Sequence, residues 1–339
     1  MAEFKRKPPA LALRVVGGLF MDCVAAPLVR YFEKSGRFDR IAAKICDQRE
    51  KDFARRNPFR GYVPGKQDVF VMTYAKSGTN WMMQIVYQLI HHGQGDFDHI
   101  HSVVPWPDAV LMSPMMKHYA IPLEKATAWQ AAPERKRVIK THFNWELLPY
   151  SKEARYIAVI RDPKDVFVSA YFFLRDSGLH KAMPSVDAMY RVFLAGKSFL
   201  GGSWAVNAAG YWAQRDKPNV LVVSFAEMKR DLEVIVRRVA AFLEIHVSEE
   251  VIQEVCRKSS FEYMRSIDDR FGTFQTAPWQ ERSRMMRKGQ QGSSSELLST
   301  ERQRAIDAHC AAELLGLGSD LPYDEICGRS ASAAKTASG

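Results

Sequence analysis

The sequence is poor in cysteine and lacks the cysteine patterns that build a scaffold. Its 339 residues include five cysteines, Cys23, Cys46, Cys256, Cys310 and Cys327, an odd number with no CxxC pair among them. Disulfide-stapled secreted domains and thiolate metal sites both need paired, closely spaced cysteines. The spacing therefore argues against both classes of protein and favours a reducing compartment.

Motifs of nucleic-acid binding are also missing. The chain has no zinc-finger spacing, no basic region followed by heptads and no aromatic RNP motif, so nucleic acid is not the expected partner. The formal net charge is nevertheless +10. Such an excess fits a ligand that carries phosphate or sulfate, an anionic membrane, or a solvated basic surface, and composition does not separate the three.

A long uninterrupted apolar run is absent as well. Residues 10–32 are rich in apolar side chains, but Arg14, Asp22 and Arg30 interrupt them, and the stretch Val15–Met21 has only seven residues. A membrane-spanning helix needs about 20 apolar residues. The order of expectation is a helix docked on the protein, then a helix lying in a membrane surface, then a cleaved signal peptide.

Composition and the positions of proline and glycine indicate how the chain is organised. Hydrophobic residues make up 47% and charged residues 25%, as in ordinary globular proteins, which excludes a disordered or collagen-like chain. Residues 47–66 are charged and contain proline and glycine, as surface connections do. The sequence predicts an N-terminal helical and connecting segment over residues 1–60, a single domain over residues 61–327 and a disordered tail over residues 328–339.

Short apolar runs alternate with helical patterns within the domain. The runs predict strands at Asp68–Thr73, Arg137–Thr141, Tyr156–Ile160 and Val220–Ser224. Apolar residues at helical spacing predict helices at Ser77–His91, Asp162–Leu174 and Asp231–Leu243. Strands that are apolar throughout and joined by helices form parallel sheets buried on both faces. The predicted fold class is therefore α/β, with a central parallel sheet flanked by helices.

The first predicted strand leads into a helix through a loop that contains Lys76, Ser77, Gly78 and Thr79. Unpaired N–H groups at the start of a helix bind phosphate or sulfate well, and the lysine and hydroxyl groups add donors. The loop resembles a P-loop in this respect, but it lacks the opening glycine and the lysine position of a Walker A motif. The alternative is a tight turn that only caps the helix.

Two further groups of cations occupy positions suited to anions. Arg161 ends the third predicted strand, where ligands bind in open α/β sheets, and Ser169 lies two turns into the following helix. Arg287, Lys288 and Gly289 form a basic loop near the C-terminus. The alternatives are that Arg161 pairs with a nearby carboxylate and that the loop is merely exposed.

The second predicted strand ends in Lys140-Thr141-His142. Alternation places Lys140 and His142 on the same face of the strand. A histidine that titrates near neutral pH is suited to taking a proton from an attacking hydroxyl group, although most lone histidines are structural. A lysine beside it and an anion loop on the neighbouring strand favour the catalytic interpretation.

Four segments in this order resemble the motifs of the sulfotransferases that use 3′-phosphoadenosine 5′-phosphosulfate (PAPS), of the soluble cytosolic type. They are TYAKSGTNW, IKTHF, VIRDPKDVFVSAYFF and RKGQQG, and the resemblance runs from about Asp68 to Gly292. It implies an α/β domain that moves the sulfuryl group of PAPS in line to an acceptor hydroxyl group or amine, in the cytoplasm and without a metal ion.

The resemblance also implies roles for individual residues. His142 would be the general base, and Lys76 and Lys140 would stabilise the leaving group. The residues implied in binding PAPS are Lys76, Ser77, Gly78, Thr79, Asn80, Trp81, Arg161, Ser169, Phe225, Ser259, Phe261, Arg287, Lys288 and Gly289. Trp106, Phe143 and Phe173 would line an acceptor pocket for a phenol or a lipid-like alcohol.

The sequence departs from the family pattern in several places. Ala75 replaces the usual proline, Asn80 replaces a threonine, and Phe225 stands where the family has a tyrosine that contacts adenine. After Gly292 the chain reads SSSELLSTE, in which the usual dimerisation segment is not recognisable. The resemblance therefore does not define the oligomeric state of this chain.

Three other functions remain open at this point. A P-loop kinase or nucleotide hydrolase would explain the first loop, but the sequence offers no obvious magnesium ligand. A non-catalytic anion-binding or membrane-binding protein would use the positive charge and the apolar segment over residues 10–32. A membrane-anchored Golgi carbohydrate sulfotransferase fits less well, because the apolar segment is short and charged.

Overall fold

Four parallel strands form the centre of the molecule. The computed structural model describes residues 10–112, 121–272, 277–279, 284–289 and 292–327. The strands are β1 (Asp68–Thr73), β2 (Arg137–Thr141), β3 (Arg155–Ile160) and β4 (Val220–Ser224), in the sheet order β2-β1-β3-β4. Every neighbouring pair is parallel. The α/β fold and the four predicted strands are confirmed, with β3 one residue longer than the apolar run.

Helices precede, connect and follow the strands. The N-terminal half of the chain contains α1 (Leu11–Phe20), α2 (Ala26–Lys34), α3 (Phe38–Arg55), α4 (Thr79–Ile90), α5 (Ile100–Val103), α6 (Ala109–Met112) and α7 (Pro163–Leu174). The remainder contains α8 (Val186–Leu194), α9 (Trp204–Trp212), α10 (Phe225–Arg230), α11 (Leu232–Phe242), α12 (Glu249–Lys258), α13 (Phe261–Ser266), α14 (Thr300–Gly316) and α15 (Tyr323–Ile326).

Capping residues mark the first residues of the predicted helices. The Asp162 side chain accepts a hydrogen bond from the Lys164 backbone N–H, and Pro163 occupies the first turn of α7. Asp231 caps α11 in the same way, through the Val234 N–H. The α4 helix begins at Thr79 rather than Ser77, because Gly78 has a φ of 97° and cannot belong to a helix.

Alternating side chains of the strands build a core on each face of the sheet. On one face, Val69 and Val71 of β1 pack with α4, α11 and α12. On the other face, Phe70 and Met72 pack with Tyr156 of β3 and with residues from α3 and α9. Both faces of the sheet are thus covered, which is why the strands are apolar throughout.

The first helical segment is longer than its apolar run suggests. Residues Leu11–Lys34 form one continuous helix of 24 residues, with a single π-helical turn at Met21–Ala25, and its length and composition would allow it to cross a membrane. A Cβ atom on Gly18 would lie 2.5 Å from Ala277 Cβ, so the helix backbone lies close against that segment. The helix is docked on the protein by this face, which was the first expectation.

Packing crosses the predicted limit between the N-terminal segment and the domain. Phe38, Ala42 and Cys46 of α3 share a hydrophobic cluster with Ala188 and Val192 of α8. The segment over residues 1–60 is therefore packed onto the domain where it is described, and the limit at residue 60 stays a prediction. The expected tail over residues 328–339 lies outside the described residues.

Candidate active site

A cavity of about 680 Å³ opens at the carboxyl ends of the strands. The chain passes from β1 to β2 on one side and then to β3 on the other, and ligands bind at such a switch point in open α/β sheets. The cavity is lined by most of the residues that the sequence singles out: Lys76, Gly78, Thr79, Asn80, Trp81, Trp106, Lys140, His142, Arg161, Ser169, Phe173, Phe225, Ser259, Phe261, Arg287, Lys288 and Gly289.

The loop after β1 has the geometry of an anion site. Lys76 and Gly78 both have positive φ, 72° and 97°, and a Cβ atom on Gly78 would lie only 2.9 Å from the Phe225 ring. The turn brings the backbone N–H groups at the start of α4 to the cavity. The Ser77 side chain is fully buried beneath the loop, and its Oγ has no hydrogen-bond partner among the described residues. A buried hydroxyl of this kind is expected to bind a ligand atom or water.

His142 is held in one tautomer. Its Nδ1 lies 2.9 Å from the carbonyl oxygen of Thr73 at the end of β1. A carbonyl oxygen only accepts, so Nδ1 must carry the proton and Nε2 keeps a lone pair. Burial, followed by the positive charge of Lys140, lowers the pKa of His142 to about 3. The ring is therefore neutral at physiological pH and can accept a proton at Nε2.

Lys140 is almost completely buried, 5% exposed, beside this histidine. Its backbone N–H donates to the Pro105 carbonyl oxygen, which fixes Trp106 so that the Lys140 Nζ lies 3.4 Å from the centre of the indole ring. His101 Nε2 lies 3.4 Å from the same amine. Burial lowers the pKa of Lys140 to about 7, although the neighbouring Asp108 acts in the opposite direction.

Lys76 and Arg161 add positive charge from the neighbouring strands. Burial, followed by the charge of Arg161, lowers the pKa of Lys76 to about 8. The Lys76 amine lies 4.1 Å from the centre of the Phe173 ring, on the face of α7 that also carries Ser169. Arg161 donates to the Lys76 carbonyl oxygen at 3.0 Å and lies 3.8 Å from the Asp165 carboxylate. The carboxylate pairing considered for Arg161 therefore exists, and Arg161 faces the cavity as well.

Arg287 and Lys288 meet at a carboxylate that sequence reasoning missed. Arg287 forms a two-point ion pair with Glu296 at 2.7 and 3.1 Å, and the Lys288 amine lies 3.1 Å from the same carboxylate. Hydrogen bonding to Arg287 lowers the pKa of Glu296, so it is ionised at neutral pH. Glu296 belongs to the SSSELLSTE segment that departs from the family pattern. An anion that binds both cations must compete with it.

Three aromatic residues that the resemblance assigns to the base line the same cavity: Trp81, Phe225 and Phe261. Trp81 and Phe225 meet edge to face, with ring centres 5.6 Å apart, and the Trp81 indole N–H donates to the Ser259 carbonyl oxygen at 2.8 Å. Phe261 lies against the backbone of Gly289. The Ser259 side chain is fully buried, and its Oγ has no partner within the described part of the chain. Rings so placed suit a planar base.

One predicted pocket residue is wrong. Phe143 is 1% exposed and packs on Phe53 and Phe59, with ring centres 5.4 and 6.1 Å away, in the core on the other face of the sheet. Side chains alternate along an extended chain, so the residue after His142 points away from the cavity. Trp106 and Phe173, the other two residues assigned to the pocket, do line the cavity.

The described ranges hold no group of three or more histidine, cysteine, aspartate or glutamate side chains placed to bind a metal ion.

The cavity also has walls that the sequence did not reveal. The α1–α2 segment contributes Phe20, Leu28 and Phe32, and α3 contributes Phe38 and Ile41. The spacing of these apolar residues predicts amphipathic helices. Nothing in the sequence indicates where the helices dock.

Residues 66–318 match the model of the sulfotransferase domain. The chain belongs to the sulfotransferase family. It is 29% identical to sulfotransferase 2A1 of Macaca fascicularis over 250 residues, which cover 73% of this chain and 84% of that protein. The chain is an enzyme of this family, and its reaction is sulfuryl transfer.

Solved structures confirm the fold of this sulfotransferase. Retinol dehydratase, in a complex with retinol and PAP, superposes with a TM-score of 0.66 at 21% identity, covering 81% of this chain and 88% of that one. Mouse sulfotransferase SULT7A1, complexed with PAP, gives a TM-score of 0.60 at 22% identity, covering 84% and 95%.

The lowered pKa values of Lys76 and Lys140 predict how nucleotide binding depends on pH. Their pKa values of about 8 and 7 are raised when an anionic nucleotide binds beside them, so binding takes up protons. The affinity for adenosine 3′,5′-bisphosphate (PAP) is expected to be highest below pH 7. Above it, the affinity falls by up to roughly tenfold per pH unit for each lysine that must gain a proton. Calorimetry at pH 8, in two buffers of different ionisation enthalpy, measures the uptake.

The matched variant for that measurement is Lys140→Met, which is expected to remove one of the protons taken up. An affinity that stays constant from pH 6.5 to 9.5, with the same heat in both buffers, contradicts the assignment.

The contact of Glu296 with Arg287 and Lys288 predicts that its carboxylate competes with the 3′-phosphate of PAP for these cations. Glu296→Gln is expected to tighten PAP binding by roughly three- to fivefold, the effect of removing one partly exposed ion pair. The affinity for adenosine 5′-phosphosulfate, which lacks the 3′-phosphate, should not change. Glu301→Gln, an exposed acid five residues along the chain, is the control. Weaker PAP binding by Glu296→Gln would mean that the carboxylate supports the loop instead of competing for it.

Proposed function

We propose that this sulfotransferase uses PAPS as its donor and an apolar alcohol or phenol as its acceptor, with His142 as the general base. The observation that carries the proposal is the bond from His142 Nδ1 to the Thr73 carbonyl oxygen. It leaves Nε2 unprotonated at the cavity, which the buried Lys140 and the half-buried Lys76 also line. A base and two cations at one point suit a reaction in which a hydroxyl proton leaves as negative charge grows on a departing phosphate.

The donor fits the cavity in three parts. The loop from Lys76 to Trp81 would hold the 5′-phosphosulfate, and the buried Ser77 hydroxyl is a donor without another use among the described residues. Arg161, Ser169, Arg287, Lys288 and Gly289 would hold the 3′-phosphate. Trp81, Phe225 and Phe261 would hold the adenine, with Ser259 beneath it. Phe225 offers a ring but lacks the tyrosine hydroxyl, so one hydrogen bond to the base is given up. Both solved structures named above contain PAP, which supports this choice of donor.

The residues of the chain then divide the chemical work. Bound PAPS supplies the sulfuryl group, whose bond to the bridging oxygen of the 5′-phosphate breaks as the bond to the acceptor oxygen forms. His142 Nε2 accepts the acceptor proton. Lys76 and Lys140, protonated when the nucleotide is present, neutralise the charge on the departing phosphate, as do the N–H groups at the start of α4. Positioning and fixed positive charge account for most of the acceleration, as in phosphoryl transfer.

The acceptor end of the cavity is apolar. Trp106 and Phe173 flank the catalytic groups, and Phe32, Phe38 and Ile41 continue the wall away from them. Such a lining binds a ring or a hydrocarbon chain and places a single hydroxyl group at the polar end. We infer a reducing, cytoplasmic environment from the cysteine pattern, because the five cysteines are odd in number and include no CxxC pair.

Replacement of the proposed base tests the mechanism. His142→Ala is expected to lower kcat by about 10² or more, the usual contribution of one general base, while PAP still binds. Calorimetry of PAP binding, carried out on the same preparation, checks that the cavity is intact. His101→Ala, the second histidine of the cavity, is the matched control and is expected to lose far less. Turnover near the wild-type value in His142→Ala would remove the histidine from the reaction.

A further inference from the structure

The helix Leu11–Lys34 presents an apolar surface to solvent. Half of the large apolar side chains that are exposed in the described chain belong to it: Leu11, Leu13, Val16, Leu19, Phe20, Val24, Leu28 and Tyr31. Their exposed fractions range from 45 to 64%. We call these eight residues the apolar stripe. Soluble proteins rarely leave so many neighbouring apolar side chains uncovered unless the surface binds a partner.

Contacts made by Gly18, Asp22 and Glu33 fix the orientation of the helix on the domain. Gly18 lies close against Ala277 and Trp279, and the Trp279 indole N–H donates to Asp22 Oδ2 at 3.3 Å. Further along, the Glu33 carboxylate accepts a hydrogen bond of 2.8 Å from the Ser185 backbone N–H. The helix thus contacts the domain at Gly18, Asp22 and Glu33, and in this position it can rest on a surface with the apolar stripe exposed.

Positive charge borders the stripe. Arg30, Lys34, Arg37, Arg40 and Lys44 are exposed along the end of this helix and the start of α3. None of them forms an ion pair within the described part of the chain, whereas the nearby acids Asp39 and Asp47 are paired with Arg191 and Lys197. Exposed apolar side chains beside unpaired cations are the pattern of a helix that lies in the headgroup region of an anionic membrane.

The stripe is continuous with the catalytic cavity. Phe20 and Leu28 belong both to the stripe and to the cavity wall, together with Val29 and Phe32 on the same helix. The cavity that contains His142 and Lys76 therefore reaches the surface beside the stripe. A hydrocarbon chain that leaves a membrane under this helix would meet the apolar side chains of Phe20, Leu28, Val29 and Phe32 in the cavity wall.

We propose that the stripe, with its flanking cations, binds the surface of an anionic phospholipid bilayer, and that a lipid alcohol passes from the bilayer into the cavity beside it. The evidence for a membrane-binding surface is the exposure of the apolar stripe, the contacts that orient the helix and the flanking positive charge. The identification of the lipid alcohol as acceptor rests on the function proposed above.

Vesicle binding tests the surface directly. The full chain is sedimented with vesicles of pure phosphatidylcholine and with vesicles that contain phosphatidylserine as well. Wild type is expected to bind the anionic vesicles at least tenfold more tightly than the neutral ones, with binding that weakens as salt rises. The variant L13E/V16E changes two stripe residues that do not line the cavity, and it should lose at least tenfold in vesicle affinity. L315E/L317E adds the same charge at exposed leucines elsewhere and should bind as wild type does.

Two acceptors separate this inference from the proposed function. With PAPS, L13E/V16E is expected to lose at least tenfold in kcat/KM for hexadecanol carried in anionic vesicles and to match wild type on 2-naphthol in solution. His142→Ala should fail on both. Transfer to 2-naphthol without any vesicle binding would overturn the membrane surface and leave the proposed function intact. Vesicle binding without transfer to either acceptor would overturn the proposed function and leave the membrane surface intact.

A second copy of the chain is the other possible occupant of the stripe. Sedimentation velocity distinguishes it, because a membrane surface predicts that wild type and L13E/V16E have the same mass in solution. A wild-type dimer that L13E/V16E converts to a monomer, combined with no vesicle binding, would overturn the proposal.

Discussion

Positive charge held away from water is the constraint on which this active site depends. Lys140 is nearly buried under Trp106, and Lys76 stands close to Arg161. Burial removes hydration from these amines and lowers their pKa values, so the free site holds its charge at a cost in free energy. An anionic nucleotide relieves that cost. Burial also keeps His142 neutral in the free enzyme, and the positive charge of Lys140 adds to that effect. Removal from water therefore prepares the cations for an anionic ligand and the imidazole for a proton.

The parallel sheet makes this arrangement possible. β1 lies between β2 and β3, and the register sets Met72 opposite Thr141 and Thr73 opposite Val159, so the three strands end together. The anion loop, the histidine and Arg161 each follow directly after one of these ends. The Thr73 carbonyl oxygen, at the last position of β1, orients the base. Catalytic groups that are far apart in sequence are thus placed by rigid backbone, and the loops only complete the cavity.

Local patterns account for most of what could be predicted from the sequence. All four strands, the start of α7 at Asp162 and Pro163, and the alternation that puts Lys140 and His142 on one face depend on neighbouring residues alone. The position of Phe143 directly after His142 predicts a pocket residue, whereas alternation along the extended chain turns its side chain into the core. Glu296 beside Arg287 and the docking of the N-terminal helix depend on contacts between distant residues, and no local pattern carries that information. The resemblance supplied the roles of the loop residues, and the structure supplied the tautomer of His142.

The cavity joins two kinds of surface, a cationic end made by the sheet and an apolar end made by the N-terminal helices. The proposed reaction, which the resemblance implies needs no metal ion, moves a sulfuryl group from PAPS to a hydroxyl group at the cationic end. The most direct measurement is mass spectrometry of a phenol after incubation with the enzyme, PAPS and a strong chelator. The phenol is expected to gain one sulfo group for each PAP formed. A phenol that stays unmodified with PAPS but gains a phosphoryl group from ATP and magnesium would contradict it.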